Sequence, residues 1–109
     1  MHITARVFWL PKAGNGRDEY EDAYWPAQGG RRGAARLRFA VADGATETSF
    51  AGLWARLLAH RYGGGELDLA VPGAALAAAQ ALWRKDVLSR PLPWYAEEKA
   101  LQGAYAALL

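Results

Sequence analysis

Ile3, Ala5, Val7 and Trp9 alternate with His2, Thr4, Arg6 and Phe8, the period-two pattern of a strand with one buried face. Pro11 through Arg17 reads as a loop punctuated by Gly14-Asn15-Gly16. Ala23, Tyr24 and Trp25 form a short strand candidate ended by Pro26, and the run Gln28-Gly29-Gly30-Arg31-Arg32-Gly33 then reads as a turn. Beyond it, Leu37, Phe39 and Val41 alternate with Arg36, Arg38 and Ala40, the clearest strand signal in the chain. Asp43 shares the parity of Leu37, Phe39 and Val41, which places it on the apolar face at the strand's end. A carboxylate in that position needs a partner.

The period then changes to that of helices. Phe50, Leu53, Trp54, Leu57 and Leu58 fall at the spacing of a buried helical face, which predicts a helix over about 49–62 capped by Thr48 or Ser49. Gly63-Gly64-Gly65 stops it. A second helix is predicted over about 73–87, after Pro72, with Leu76, Ala79, Leu82 and Trp83 on one face. Pro91 and Pro93 break the chain, and Ala96-Glu97-Glu98-Lys99-Ala100-Leu101 supports a third helix from about Trp94. The last seven residues, from Gly103 to Leu109, fit helix or strand. Strands followed by helices indicate an α+β fold, an antiparallel sheet with helices packed on one face.

Composition changes this picture little. A chain of 109 residues suits a single domain, and its 52% hydrophobic and 22% charged residues are those of an ordinary globular protein. The net charge is +2 and the arginines are scattered apart from Arg31-Arg32, so no nucleic-acid partner is expected. No apolar run approaches a membrane span, and the patch from Val7 to Leu10 is too brief for a signal sequence. Cysteine is absent, which excludes disulfides and thiolate metal sites and fits a reducing compartment. The expectation is a cytoplasmic protein with no membrane partner.

The candidate chemistry lies in two acidic motifs, Gly16-Arg17-Asp18-Glu19-Tyr20-Glu21-Asp22 and Val41-Ala42-Asp43-Gly44. The midpoint between Asp22 and Asp43 falls between Arg32 and Gly33, inside the turn-rich run. An antiparallel pair folded about that run brings the two aspartates side by side. Like charges opposed on a sheet destabilise it, so a positive partner is expected, with a metal ion the leading candidate. Plainer readings stand beside this one. Taken without the hairpin argument, Glu21 and Asp22 read as solvated loop acids, Asp43-Gly44 as an ordinary turn, and Arg17 as a surface charge or a neutraliser of the nearby acids. Glu47 suits a helix start. His60 reads as exposed, and Ser49 and Ser89 have no nearby base to activate them. The five tryptophans read as packing. Gly63-Gly64-Gly65 lacks the Lys and Ser/Thr of a phosphate-binding loop.

In order and spacing, these motifs resemble those of the PP2C (PPM-type) metal-dependent protein phosphatases. The first acidic motif is similar to that family's first motif, with an arginine ahead of a Glu-Asp pair. Phe39-Ala40-Val41-Ala42-Asp43-Gly44 is similar to its second, an apolar strand ending in Asp-Gly. Thr48-Ser49-Phe50 with Gly52 is similar to the opening of its first long helix, and Gly103-Ala104-Tyr105-Ala106 to the small-residue motif that opens its next strand. The resemblance spans nearly the whole chain and corresponds to the first part of such a domain.

The resemblance implies a PP2C-like α-β-β-α sandwich, hydrolysis of phosphoserine and phosphothreonine esters, a phosphoprotein substrate and two Mn²⁺ or Mg²⁺ ions. Asp43 would bridge the ions and the Gly44 carbonyl would be a further ligand. Glu21 and Asp22 would bind or orient the metals, and Arg17 would hold the substrate phosphate. Hard ions take carboxylate, carbonyl and water oxygens, and a guanidinium matches a phosphate with parallel hydrogen bonds. Three departures matter. Ala45 stands where the family usually has histidine after Asp-Gly, Thr46-Glu47 replace a Gly-Gly pair, and the downstream acidic motifs are missing. The expectation for 1–109 is therefore a partial, N-terminal portion of a phosphatase domain, inactive alone. The alternative is a non-catalytic, degenerate module that binds metal or a protein partner.

Overall fold

The structure, a computed structural model, describes residues 2–6, 8, 10, 13–14, 21–26, 30–33, 38–45 and 50–109. Among the described residues, five strands, β1 (His2–Ala5), β2 (Ala23–Trp25), β3 (Gly30–Gly33), β4 (Ala40–Gly44) and β5 (Ala106–Leu108), join three helices, α1 (Ala51–Gly63), α2 (Gly73–Leu88) and α3 (Trp94–Leu101). All pairings are antiparallel. A two-stranded sheet holds β1 and β3, and a three-stranded sheet has the order β2-β4-β5. This is the mixed α+β class that the sequence pattern predicts.

Two strand expectations are corrected. Gly30–Gly33, read as turn, is β3, and His2 to Ala5 pair with it residue by residue. Its backbone groups find ladder partners there, and that pairing overrides the local turn signal of its glycines. Phe39 and Arg38 precede β4 rather than forming it, and Arg36 and Leu37 lie outside the described residues. Of the ambiguous C-terminal stretch, Ala106–Leu108 forms a strand. Beyond Ala106–Leu108, the Ala45 N–H donates to the Tyr105 carbonyl at 2.9 Å, and Val41 and Leu109 exchange bonds of 3.1 and 2.8 Å.

Small residues decide how the sheet meets its helix. Ala23, Ala40 and Ala42 pack directly on Ala55 and Ala59 of α1. Gly63 lies under Trp25, where any Cβ would overlap the indole ring. The stripe expected to be buried, Phe50, Leu53, Trp54 and Leu57, turns away from the sheet and packs half-buried against Trp83, Val87 and Ala100 of α2 and α3. Only Leu58 of that stripe is fully buried, alongside Ala51, Ala55 and Ala59. A helix sandwiched between a sheet and other helices has two apolar faces, and a pattern weighted towards large residues sees only one.

The start of α1 also differs from expectation. The helix begins at Ala51 behind Phe50, whose backbone is left-handed (φ 54°, ψ 36°), and no side chain caps it. Thr48 and Ser49 lie outside the described residues. The Phe50 carbonyl instead accepts the Trp83 Nε1–H at 3.2 Å. On α2, Ala79, Trp83 and Val87 are buried, but Leu82 is 40% exposed, against the expected face. Trp94 is exposed beside Tyr95 and is no core residue, so packing does not account for every tryptophan. Among the described residues no helix is long and apolar enough to cross a membrane.

Candidate functional site

β2 and β4 pair with Ala23 opposite Ala42, Tyr24 opposite Val41 and Trp25 opposite Ala40. One further step of this register sets Asp22 opposite Asp43. Val41 exchanges its backbone hydrogen bonds with Leu109, so the odd-numbered residues of β4 turn their backbone groups towards β5 and the even-numbered ones towards β2. Asp22 and Asp43 therefore form a non-hydrogen-bonded pair, the kind in which opposed Cα atoms stand about 4.5 Å apart and side chains lie closest. The Gly44 N–H is aimed at β2, on the side of Asp22.

The Asp22 carboxyl stands close enough to Asp43 to be influenced by it. Desolvation is the largest influence holding Asp22 above the usual carboxylate range. The hydrogen bond from Asp22 to Asp43 and the charge of Asp43 add to it, as does the charge of Glu21. The Gly44 N–H works in the opposite direction by favouring the anion. Asp22, Asp43 and Glu21 thus gather carboxyl groups at one end of the β2–β4 pair.

The parity reading of Asp43 is half right. Asp43 does share a face with Val41, but that face is the outer one. Ala40, Ala42 and Gly44 turn inward to α1, whereas Val41 is 52% and Phe39 45% exposed. The larger apolar side chains mark the uncovered face because the helix approaches too closely for anything beyond alanine. Asp43 is consequently exposed and Asp22 half-buried. On the same face, a groove runs past Tyr24, Val41 and Leu109 to Arg6 and Phe8. The sequence pattern did not single out Arg6 or Tyr24, and only the register of β2 on β4 puts Tyr24 next to the acidic pair.

Gly44 has a structural role as well as a chemical one. A Cβ there would stand 2.5 Å from the Glu21 carbonyl oxygen and 3.0 Å from the Ala51 backbone. Glycine thus lets the end of β4, the start of α1 and the Glu21-Asp22 segment converge.

Of the expected site residues, Glu21, Asp22, Asp43 and Gly44 come together. Arg17, expected to hold phosphate, lies outside the described residues, as do Thr46 and Glu47. Among the described residues no group of three or more His, Asp or Glu side chains is arranged to hold a metal ion. His60 is exposed, with its ring edge-on to Trp25 at 5.5 Å. The Ser89 hydroxyl donates to the Asp86 carbonyl at 2.6 Å, a local turn contact rather than an activated nucleophile. No protein-family model, no curated protein and no solved structure matches the chain.

Proposed function

We propose that Glu21, Asp22, Asp43 and Gly44 form one wall of a divalent-cation site in a PP2C-like phosphoprotein phosphatase, an α-β-β-α sandwich that hydrolyses phosphoserine and phosphothreonine esters. One observation carries this reading: the β2–β4 register opposes Asp22 and Asp43 in a closely spaced pair on the solvent-facing side of the sheet. Two carboxyls held so close can share a proton or share a cation, and at neutral pH a cation is the more effective partner for two negative charges.

The donor set fits a hard ion. Carboxylate oxygens from Asp22 and Asp43, with the nearby carbonyls of Glu21 and Gly44, are the ligand types that Mn²⁺ and Mg²⁺ take, and they fill part of a six-ligand shell. Two such ions, when bound, supply an activated water and offset charge on a phosphoryl group. The chain's own share is to hold Asp43 facing solvent from the middle strand with Asp22 opposite it on β2's side. Arg17 would orient the phosphate. The remaining ligands would come from further carboxylates of the complete domain.

Calorimetric titration of the chain with Mn²⁺ tests the site. Wild type should bind, and Asp43→Asn should weaken binding by at least about tenfold, the scale on which even supporting residues affect metal affinity. Equal affinity in the two proteins would remove the assignment. A second reading, a metal-binding module without catalysis, is favoured by Ala45, whose methyl can neither give nor take a proton beside Asp43-Gly44. The two part on turnover: the phosphatase reading requires Mn²⁺-dependent hydrolysis of p-nitrophenyl phosphate once the remaining ligands are supplied, and the module reading requires binding alone.

A further inference from the structure

We propose that the cavity between α1, α2 and the Gly103–Ala104 link binds a planar aromatic carboxylate. The cavity has a volume of ≈ 230 Å³ and is lined by Trp54, Gln80, Trp83, Arg84, Gly103 and Ala104. Gln80, Trp83 and Arg84 stand at i, i+3 and i+4 on α2 and so share one helical face. Trp54 faces them from α1. This chemistry is separate from the acidic pair, which lies on the sheet face turned away from α1.

Each lining group narrows the ligand. The Trp83 Nε1–H is already donated to the Phe50 carbonyl, so that indole offers the cavity its apolar ring and no donor. Two indole walls favour a flat aromatic ring over an aliphatic chain. Arg84 is exposed and makes no ion pair among the described residues. Its planar fork matches a carboxylate, and the Gln80 amide beside it can donate a further hydrogen bond. Among the described residues no carboxylate lines the cavity, so none of them repels an anion there. Gly103 has a left-handed backbone (φ 89°), and a Cβ there would meet nothing within 4 Å, which leaves that side open for entry. The volume falls below the range of about 300–1,000 Å³ of pockets for drug-sized ligands, which suits a single ring bearing one acid group.

The test follows the indole N–H signals of the five tryptophans in ¹⁵N-labelled chain, with benzoate as probe and benzamide and cyclohexanecarboxylate as comparators. Benzoate should saturably shift the Trp54 and Trp83 signals, and each comparator should bind about tenfold more weakly or worse, the cost of losing one good charged or aromatic contact. Arg84→Gln, a surface change, should weaken benzoate about tenfold and leave benzamide unaltered. Arg84→Lys, keeping charge without the fork, should fall between. The proposal is overturned if benzoate gives no saturable shift, if its shifts spread evenly over all five indoles, or if Arg84→Gln binds benzoate as wild type does.

Discussion

Replacing Asp22 with asparagine removes one charge of the opposed pair and keeps its shape. The amide keeps an acceptor oxygen, and its N–H₂ can donate to Asp43. Opposed like charges on a sheet cost up to about 1 kcal/mol, and solvent screening at this half-buried position holds the effect to between a few tenths and about 1 kcal/mol. With an unfolding entropy of about 2.1 cal/mol/K per residue, 1 kcal/mol moves the midpoint of a chain this long by roughly 4 °C. Asp22→Asn should therefore raise Tm by about 1–4 °C at neutral pH in EDTA. The pH dependence carries a sign. The Asp22 carboxyl titrates higher in the folded protein than in the unfolded chain. Between the two values the folded state binds more protons, so wild-type stability falls as pH rises. The penalty is absent below the unfolded value and complete above the folded one. The advantage of asparagine should grow from nothing in acid to its full size above the folded-state pKa, as followed by circular-dichroism melts. Excess Mn²⁺ should reverse the order, because only wild type then gains the stabilisation that ligand binding gives the folded state. An asparagine variant that is less stable at neutral pH in EDTA, or whose difference from wild type is flat with pH, would refute the argument.

Two further substitutions probe the packing that positions the pair. Gly44→Ala sets a methyl 2.5 Å from the Glu21 carbonyl and 3.0 Å from the Ala51 backbone, so it should destabilise by about 1–3 kcal/mol and lower the urea midpoint. It should also weaken any Mn²⁺ binding, since the strand end must move away from Glu21. Ala59→Leu, at a fully buried site between α1 and the sheet, should cost a similar ~1–3 kcal/mol in the same urea titration, although leucine is the larger hydrophobe. Unchanged stability of that variant would mean that the helix does not sit as closely on the sheet as Ala23, Ala40 and Ala42 require.

The acidic pair was legible to an unusual degree, and partly through an imperfect argument. The midpoint of Asp22 and Asp43 predicts their juxtaposition, and the observed β2–β4 register continues to that pairing. The intervening glycine-rich run is nevertheless a strand paired with β1. The register holds because a one-residue slip would exchange the alanine face of β4 for its Val41–Asp43 face against α1. Helix positions were similarly readable, since a 3.6-residue period and proline breaks are local properties. Which face of each element is buried was not.

The sequence by itself determined the three helices, the α+β class and the pairing of the two aspartates, because these depend on periodicity, breakers and spacing along the chain. Tertiary structure alone decided that the alanines, not the larger hydrophobes, form the interface between sheet and helix. It likewise decided that Asp43 looks outward and that Gly44 sits against Glu21 and the start of α1. Those outcomes depend on how closely two surfaces approach. Closeness is a property of both surfaces together, and hydrophobic patterning in one segment carries no record of the other.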